Sequence, residues 1–271
     1  MMRRILVALD TSPGSVAAVE AAAALAALAR AELVGVFVED AALLRLAEHP
    51  LSREVGYASA TVRAFGPAEL ASQLLVQAQQ AEAAMARAAV QRQVRWSFTV
   101  VRGEVAAEIE AASVGADLVC LGTTGWSPAG ALRLGSTVRA MMAGPSVPCL
   151  VLRAGSDVNG PLRVLVDTEV PREGVLAVVE RLIVAMGFVE VDVVEFAPDA
   201  AEAAGLREGV RARLEALGVA PRFHWLGPHN GHALAARARG GLLVIDRRSP
   251  VSELEQLEAW LGQTDCGVVV V

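Results

Sequence analysis

The sequence predicts an α/β protein built from two tandem doubly wound parallel sheets of five strands each. Short runs rich in Val, Ile and Leu alternate with Ala-rich segments that carry polar residues at helical spacing. Continuous apolar runs of this kind are typical of parallel strands that helices cover on both faces. The order of elements starts again after residue 161, which indicates an internal repeat of a Rossmann-like unit.

The first half of the chain contains the elements of one complete unit. Its strands are predicted at residues 5–9, 33–38, 94–101, 117–121 and 149–152. Its helices are predicted at residues 16–29, 68–92, 105–113 and 136–142. Right-handed crossovers between parallel strands would place these helices on both faces of the sheet.

A stretch rich in Gly, Ser, Asn and Pro separates the two halves. We expect a first domain over residues 1–153, a linker over 154–161 and a second domain over 162–271. The strands of the second domain are predicted at residues 163–167, 189–196, 222–226, 242–245 and 267–271.

The first half is longer than the second between its second and fourth strands. From Val38 to Gly122 there are 122 − 38 = 84 positions, and from the matching Phe196 to Asp246 there are 246 − 196 = 50. We place the excess at residues 40–66, which leave the carboxyl end of the second strand, where α/β sheets bind ligands. The segment is either a lid or a plain surface excursion, and we favour the excursion because loop insertions are common.

Composition and charge exclude several classes of function. The chain has 30 acidic and 24 basic residues, and every basic residue is an arginine. The absence of lysine excludes Schiff-base chemistry, a pyridoxal phosphate anchor and a Walker-A lysine. The acidic balance argues against nucleic-acid binding. The apolar run near the amino terminus is too short for a signal peptide, and no run reaches the about 20 residues of a membrane span, so we expect a cytoplasmic protein.

We expect the three cysteines to be reduced and buried. Cys120, Cys149 and Cys266 each lie in or beside an apolar stretch, where cysteine acts as a small apolar residue. No C-x-x-C pair is present, so no metal site is predicted. His229 and His232 have a spacing that metal ligands also show, but no carboxylate or cysteine accompanies them, and we interpret them as loop residues.

The segment after the fourth predicted strand carries the pattern G-x2-G-x9-G-[ST], formed by Gly122, Gly125, Gly135 and Ser136. The first glycine leaves the strand in a tight turn where a side chain would block a ligand, and the second lets the backbone come close to one. Gly135, Ser136 and Thr137 then open a helix whose free N–H groups, hydroxyls and positive end suit a phosphate. The pattern therefore predicts a phosphate-binding segment.

An aspartate stands at the carboxyl end of the first predicted strand. Asp10 precedes Thr11 and Ser12 at the start of the first long helix, and alone this pattern is typical of a turn with a helix cap. In a doubly wound sheet, however, strands one and four are neighbours across the switch point. Asp10 would then share a crevice with the glycine segment, where a carboxylate can accept hydrogen bonds from ribose hydroxyls.

These features resemble the universal stress protein family. The matching residues are the first strand with its Asp-x-Ser-Pro turn, the second strand ending Val-Phe-Val-Glu-Asp at residue 40, the glycine pattern and the strand at residues 149–152. The resemblance covers residues 1–153 well and residues 161–271 weakly. It implies a tandem two-domain member whose fold is similar to that of the adenine nucleotide alpha hydrolases.

In the ATP-binding branch of this family, the glycine pattern binds the phosphates, the aspartate contacts the nucleoside and the valine ending strand two contacts the adenine. The resemblance therefore implies that ATP binds in the first half. Arg133 is the remaining basic candidate for the phosphates, because the family's other basic loop residues are absent, and the alternative is that it is a solvated surface charge. Because the chain has no lysine, we expect a metal ion such as Mg²⁺ to share the phosphate charge. No catalytic residue is implied. The implied site residues are Asp10, Thr11, Val38, Gly122, Thr123, Gly125, Arg133, Gly135, Ser136 and Thr137.

Three functions stay open at this point. The first is an ATP-binding stress or regulatory module. The second is a slow ATPase, for which the sequence shows no general base or nucleophile that we could name. The third is a nucleotide-free interaction protein, because Trp126 and Pro128 stand where the family has small or basic residues.

The second half lacks the glycine pattern. Asp246 and Arg247 stand where the first half has Gly122 and Thr123, so we predict that the second half does not bind ATP. The resemblance also implies association through the fifth strands, as an internal pseudo-dimer of the two halves or between two chains. We expect Cys149 and Cys266 to hold matching positions just before these strands.

Overall fold

The computed structural model contains a ten-stranded sheet with helices packed on both of its faces. The structure describes residues 2–49, 51–55, 62–64, 66–123, 134–144, 147–168, 170–226, 239–252 and 254–271. Within this sheet, every pair of neighbouring strands is parallel except one. The α/β fold class predicted from the apolar runs is therefore confirmed.

The first half forms its strands within two residues of the predicted bounds. Its strands in the large sheet are β1 (Arg4–Leu9), β2 (Glu32–Asp40), β5 (Trp96–Gly103), β6 (Leu118–Gly122) and β7 (Cys149–Leu152). Its helices are α1 (Pro13–Ala29), α2 (Ala41–Glu48), α3 (Pro67–Gln91), α4 (Val105–Ser113) and α5 (Ser136–Ala143). Two further strands, β3 (Arg53–Val55) and β4 (Val62–Ala64), form a separate antiparallel pair.

The second half repeats this arrangement in fewer residues. Its strands are β8 (Leu162–Asp167), β9 (Glu190–Phe196), β10 (Ala220–Leu226), β11 (Leu242–Ile245) and β12 (Gly267–Val270). Its described helices are α6 (Glu173–Met186), α7 (Ala200–Glu215) and α8 (Leu254–Gln263), with a 3-10 turn at Pro250–Ser252.

The strand order is the same on both sides of the middle of the sheet. From the middle outward it runs β7-β6-β1-β2-β5 in the first half and β12-β11-β8-β9-β10 in the second. In each half, the order of strands along the chain reverses beside the first strand, which is the switch point of a doubly wound sheet. The carboxyl ends of β1 and β6 therefore flank a crevice in the first half.

Alanine is concentrated where helices must lie close to the sheet. Helix α1 packs against β1 and β6 and is flanked by α3 and α6. Six of its buried residues are alanines, and small side chains on several sides let one helix approach the sheet and two other helices at once. The Ser12 side chain caps the helix by accepting a hydrogen bond from the Ser15 N–H.

The two halves meet at β7 and β12, which form the antiparallel pair of the large sheet. Leu150 lies opposite Val269, and Cys149 lies opposite Val270. On one face, Val138 of α5 and Leu257 of α8 belong to the same buried cluster. The pairing therefore joins both halves through backbone hydrogen bonds and a shared apolar core.

The longer connection in the first half contains regular structure. Helix α2 begins directly after β2, and the Asp40 side chain caps it by accepting a hydrogen bond from the Ala42 N–H at 2.7 Å. The pair β3–β4 follows, and α2 packs against α3. Part of the extra length is in the helix itself, because α3 has 25 residues and the corresponding α7 has 16. Tyr57, in the same insertion, lies outside the described residues.

One predicted correspondence between the halves is wrong. The register pairs Cys149 with Val119 in the first half and Val268 with Leu243 in the second. Cys149 therefore corresponds to Val268, and Cys266 lies two residues earlier in the repeat, before β12 begins. The expected match between Cys149 and Cys266 rested on residue type, whereas the backbone register makes Cys149 correspond to Val268.

No helix in the described part of the chain is long and apolar enough to cross a membrane.

The cysteines are predicted to be unreactive in the folded protein. All three are free and buried. Burial raises the pKa of each thiol, and the pKa of Cys149 is raised to about 11, although the nearby Arg247 charge opposes the shift. Thiols whose pKa values lie above the usual range stay protonated at pH 8, and the thiolate is the reactive form. A thiol reagent should therefore label none in the native protein and all three in denaturant. Labelling before unfolding would contradict this expectation.

Candidate functional site

A cavity of about 400 Å³ opens at the carboxyl ends of β1, β2 and β6. This volume is within the range of about 300–1,000 Å³ that is usual for small-molecule sites. Six of the ten residues implied by the sequence line it, namely Asp10, Val38, Gly122, Gly135, Ser136 and Thr137. Residues far apart in the chain are thus brought together at the switch point of the first half.

A tight turn positions Asp10 at the mouth of the cavity. Its Oδ1 accepts a hydrogen bond from the Ser12 N–H at 3.0 Å, and its own N–H donates to Ser15 Oγ at 3.4 Å. Thr11 adopts a left-handed conformation with φ of 62°, which is uncommon for a residue with a side chain. Thr11 is not among the lining residues and serves to shape the turn. The Asp10 carboxylate itself is exposed.

Gly122 is required by the close approach of two backbones. A Cβ atom at this position would lie 2.6 Å from the Gly14 carbonyl carbon and 2.8 Å from the Ser15 nitrogen. The end of β6 therefore lies directly against the first turn of α1. From the sequence, Gly122 was expected in a turn where a side chain would block a ligand. In the structure, the contact that excludes a side chain at Gly122 is with α1.

The segment that carries the glycine pattern has its two ends joined. The Gly135 N–H donates to the Thr123 carbonyl at 2.8 Å, and the Thr123 N–H donates to the Leu152 carbonyl at 2.7 Å. Thr123 is 1% exposed and does not line the cavity. Gly125 and Arg133, together with Trp126 and Pro128, lie outside the described residues.

The amino end of α5 faces the cavity without a side-chain cap. Gly135 occupies the N-cap position, and Ser136 and Thr137 form the first turn at the cavity wall. The first backbone N–H groups of a helix lack acceptors within the helix and carry partial positive charge. This end of α5 can therefore donate hydrogen bonds to an anion in the cavity.

The cavity is acidic among the residues that the structure describes. Asp10 and Asp40 line it, and no arginine is found in the described part of its wall. A polyanion bound here would be repelled by these two carboxylates. A divalent cation would compensate for part of that charge, because Mg²⁺ binds through carboxylates and phosphate oxygens together.

Several lining residues were not predicted from the sequence. Leu43 of α2 and Leu74 and Gln77 of α3 form one wall, and Val105 and Ile109 of α4 contribute to another. Gln77 lies three residues after buried Leu74 and one before buried Ala78. A polar side chain beside a buried stripe ordinarily faces solvent, so no signal in the sequence indicated that Gln77 lines a cavity.

The corresponding place in the second half has little free space among the described residues. The register of β8 with β11 puts Asp167 where the first half has Asp10. Asp167 is 5% exposed and its Oδ2 accepts a hydrogen bond from Ser249 Oγ at 2.8 Å. The space beside it, lined by Val166 and Val175 among others, measures about 10 Å³ in the described part of the chain.

An ion pair between Asp246 and Arg248 lies at the position that corresponds to Gly122 of the first half. Asp246 directly follows β11, and its carboxylate accepts hydrogen bonds from the Arg248 backbone N–H and guanidinium at 2.8–2.9 Å. Burial by itself raises the pKa of Asp246, but the hydrogen bonds and charge of Arg248 outweigh it, so that the pKa lies below its ordinary value. An ionised carboxylate at this point disfavours phosphate.

Comparison with known proteins points to one family. The family model described as the universal stress protein family matches residues 1–153, which is more than half of the chain. A search of curated protein sequences finds no match.

Solved structures give the same fold over the whole chain. A universal stress protein from Archaeoglobus fulgidus DSM 4304 has a TM-score of 0.72 at 16% identity, with 98% of this chain and 97% of that chain covered. A putative universal stress protein from Pseudomonas aeruginosa UCBPP-PA14 has a TM-score of 0.53 at 13% identity, with 100% and 93% covered. At such identities the likeness concerns the fold.

The close approach at Gly122 predicts a penalty for the smallest possible side chain. Gly122→Ala would push the first turn of α1 away from β6, and we expect the free energy of unfolding to fall by about 1–3 kcal/mol, as for other overpacked sites. Gly209→Ala in α7 is the control without a steric contact, because a Cβ there meets nothing within 4 Å, and the helix propensity of alanine should raise its stability by up to about 1 kcal/mol. Chemical unfolding of both variants and the wild type measures the differences. A Gly122→Ala variant as stable as the wild type would contradict the rigid contact.

Proposed function

The chain belongs to the universal stress protein family, and on that premise we propose that it is a stress-response module that binds ATP in the cavity of its first half. Some members of this family bind ATP. The observation that carries the proposal is that Asp10 and the uncapped end of α5 face the same cavity. The Asp10 carboxylate offers a hydrogen-bond acceptor for sugar hydroxyls, and the end of α5 offers hydrogen-bond donors for phosphate.

Each part of the nucleotide has a chemically suitable wall. The N–H groups and hydroxyls of Ser136 and Thr137 suit the phosphates, and the Asp10 carboxylate suits the ribose. Val38 lies at the end of β2 with apolar neighbours in the same wall, which suits the adenine ring. Arg133 remains the proposed basic partner of the phosphates. Mg²⁺ bound with the ATP would offset its charge against the two carboxylates.

We propose binding without rapid turnover. The groups in the described wall that could act as a general base are the carboxylates of Asp10 and Asp40. Asp10 accepts the Ser12 N–H within its turn, and Asp40 caps α2. Both carboxylates therefore have structural roles, and neither is paired with a second titratable group that would tune it for proton transfer among the described lining residues.

The second half is proposed to act as a fixed partner of the first. The shared strand order and the β7–β12 pair support two units, residues 1–153 and 162–271, that associate as an internal pseudo-dimer. The small space beside Asp167 supports the proposal that the second half binds no nucleotide. The linker at residues 154–161 contacts the second half, since the Asp157 N–H donates to the Asp265 carbonyl at 2.8 Å.

One ATP is expected to bind per chain, at the site that contains Asp10. Isothermal titration should give about one ATP per chain, and Asp10→Ala should weaken binding about tenfold through loss of a charge-assisted hydrogen bond. Asp167→Ala, at the same strand position of the second half, should leave the affinity for ATP unchanged. Two equivalent sites, or an equal effect of both substitutions, would refute the assignment of the site to the first half.

Hydrolysis of the bound ATP is expected to be slow. Purified protein incubated with ATP and Mg²⁺ should release ADP more slowly than about 1 s⁻¹, the lower end of ordinary enzyme turnover. Mass spectrometry of the native protein should detect bound nucleotide, and chromatography of the incubated mixture gives the rate. ADP release at ordinary enzymatic rates, abolished by Asp10→Ala, would show an ATPase instead.

A further inference from the structure

A carboxylate of the second half contacts the residue that precedes the amino end of α5. Glu258 on α8 accepts a hydrogen bond from the Leu134 backbone N–H at 2.9 Å and from Arg139 Nη2 at 2.6 Å, both through Oε1. Arg139 Nε in turn donates to the Leu134 carbonyl at 3.0 Å. Glu258 thus binds the residue that directly precedes the N-cap of α5.

The apolar core beneath Glu258 fixes its position. Leu257 and Leu261 of α8 are fully buried in the cluster that also contains Leu134 and Val138 of the first half. The Glu258 side chain is 17% exposed, so its hydrogen bonds are partly shielded from water and are stronger than those of an open surface pair. The contact is therefore part of the interface between the halves.

The start of α5 depends on contacts made just before it. Because α5 has no side-chain cap, its first turn is held by the Gly135 N–H bond to the Thr123 carbonyl and by the Leu134 N–H bond to Glu258. At the other end of α5, Arg247 of the second half donates a hydrogen bond to the Gly144 carbonyl. The second half thus contacts α5 at both ends.

We propose that Glu258 is a positioning residue that holds the amino end of α5 where it can bind the phosphates of the nucleotide. The inference rests on the proposed ATP function and extends it, because it makes the half without the glycine pattern a determinant of affinity in the other half. By linkage, ATP bound at α5 strengthens the contact between α5 and α8 to the same extent.

The test separates positioning from general stability by comparing two ligands. Adenosine lacks phosphates, so a displaced α5 end should weaken ATP binding and spare adenosine. We expect Glu258→Ala to weaken ATP binding about five- to twentyfold, the lower part of the range of about 5–150-fold that is usual for coupling between sites, and to change the affinity for adenosine less than about twofold. Ligand-observed NMR competition measures both affinities, including weak ones.

Two further variants act as controls. Glu258→Gln keeps a side-chain oxygen that can accept the Leu134 N–H and should recover most of the affinity for ATP. Glu180→Ala breaks an ion pair of the same 2.6 Å length, with Arg213, that stays within the second half. It should leave both affinities unchanged.

Hydrogen exchange provides a readout that needs no nucleotide. In the free protein, Glu258→Ala should speed exchange at the Leu134 amide, whereas Glu180→Ala should not. Unchanged ATP affinity in Glu258→Ala, an equal loss for ATP and adenosine, or an unchanged Leu134 exchange rate would each overturn the positioning role. If the wild-type protein binds neither ligand, the proposed ATP function itself is overturned, and the role of Glu258 in binding falls with it.

Discussion

The antiparallel pairing of β7 with β12 joins the two halves of the protein. It turns two five-strand sheets into one and leaves neither central strand with an unpaired edge. It also brings α5 and α8 over the same apolar cluster. Because α5 and α8 lie side by side, Glu258 contacts the start of α5 and Arg247 contacts its end. The halves are therefore not independent units joined only by a linker.

The two halves share a strand order but differ in the side chains at their switch points. In the first half, Gly122 lets β6 lie against α1, and Asp10 stays exposed beside a cavity of about 400 Å³. In the second half, Asp167 is bonded to Ser249, and Asp246 is bonded to Arg248. Backbone topology gives both halves the same strand order, and the side chains at the two strand ends differ. Among the described residues, those of the first half leave a cavity, whereas those of the second half are bonded to one another.

Most of the fold could be predicted because it depends on local pattern. Buried parallel strands must be apolar along their length, so the runs in the sequence locate them within two residues in the first half. Part of the candidate site could be predicted in the same way, because Asp10 and Gly122 lie where strands end, and six of the ten implied residues line the cavity. Leu43 and Gln77 could not be recognised, because a helical position lines a cavity only when another element leaves space beside it. The expected correspondence of Cys149 with Cys266 was wrong because strand register is set by hydrogen bonding between strands and not by residue type.

The α/β class and the location of most strands follow from the sequence alone, and so does the prediction that Asp10 and Gly122 lie at neighbouring strand ends. These follow from periodicity and from the geometry that any doubly wound sheet imposes. The contact of Gly122 with α1, the hydrogen bond between Asp167 and Ser249, and the contact of Glu258 with Leu134 became visible only in the folded structure. These depend on distances between segments more than 75 residues apart in the chain. Such distances are set by packing of the whole core, and no local pattern in the sequence encodes them.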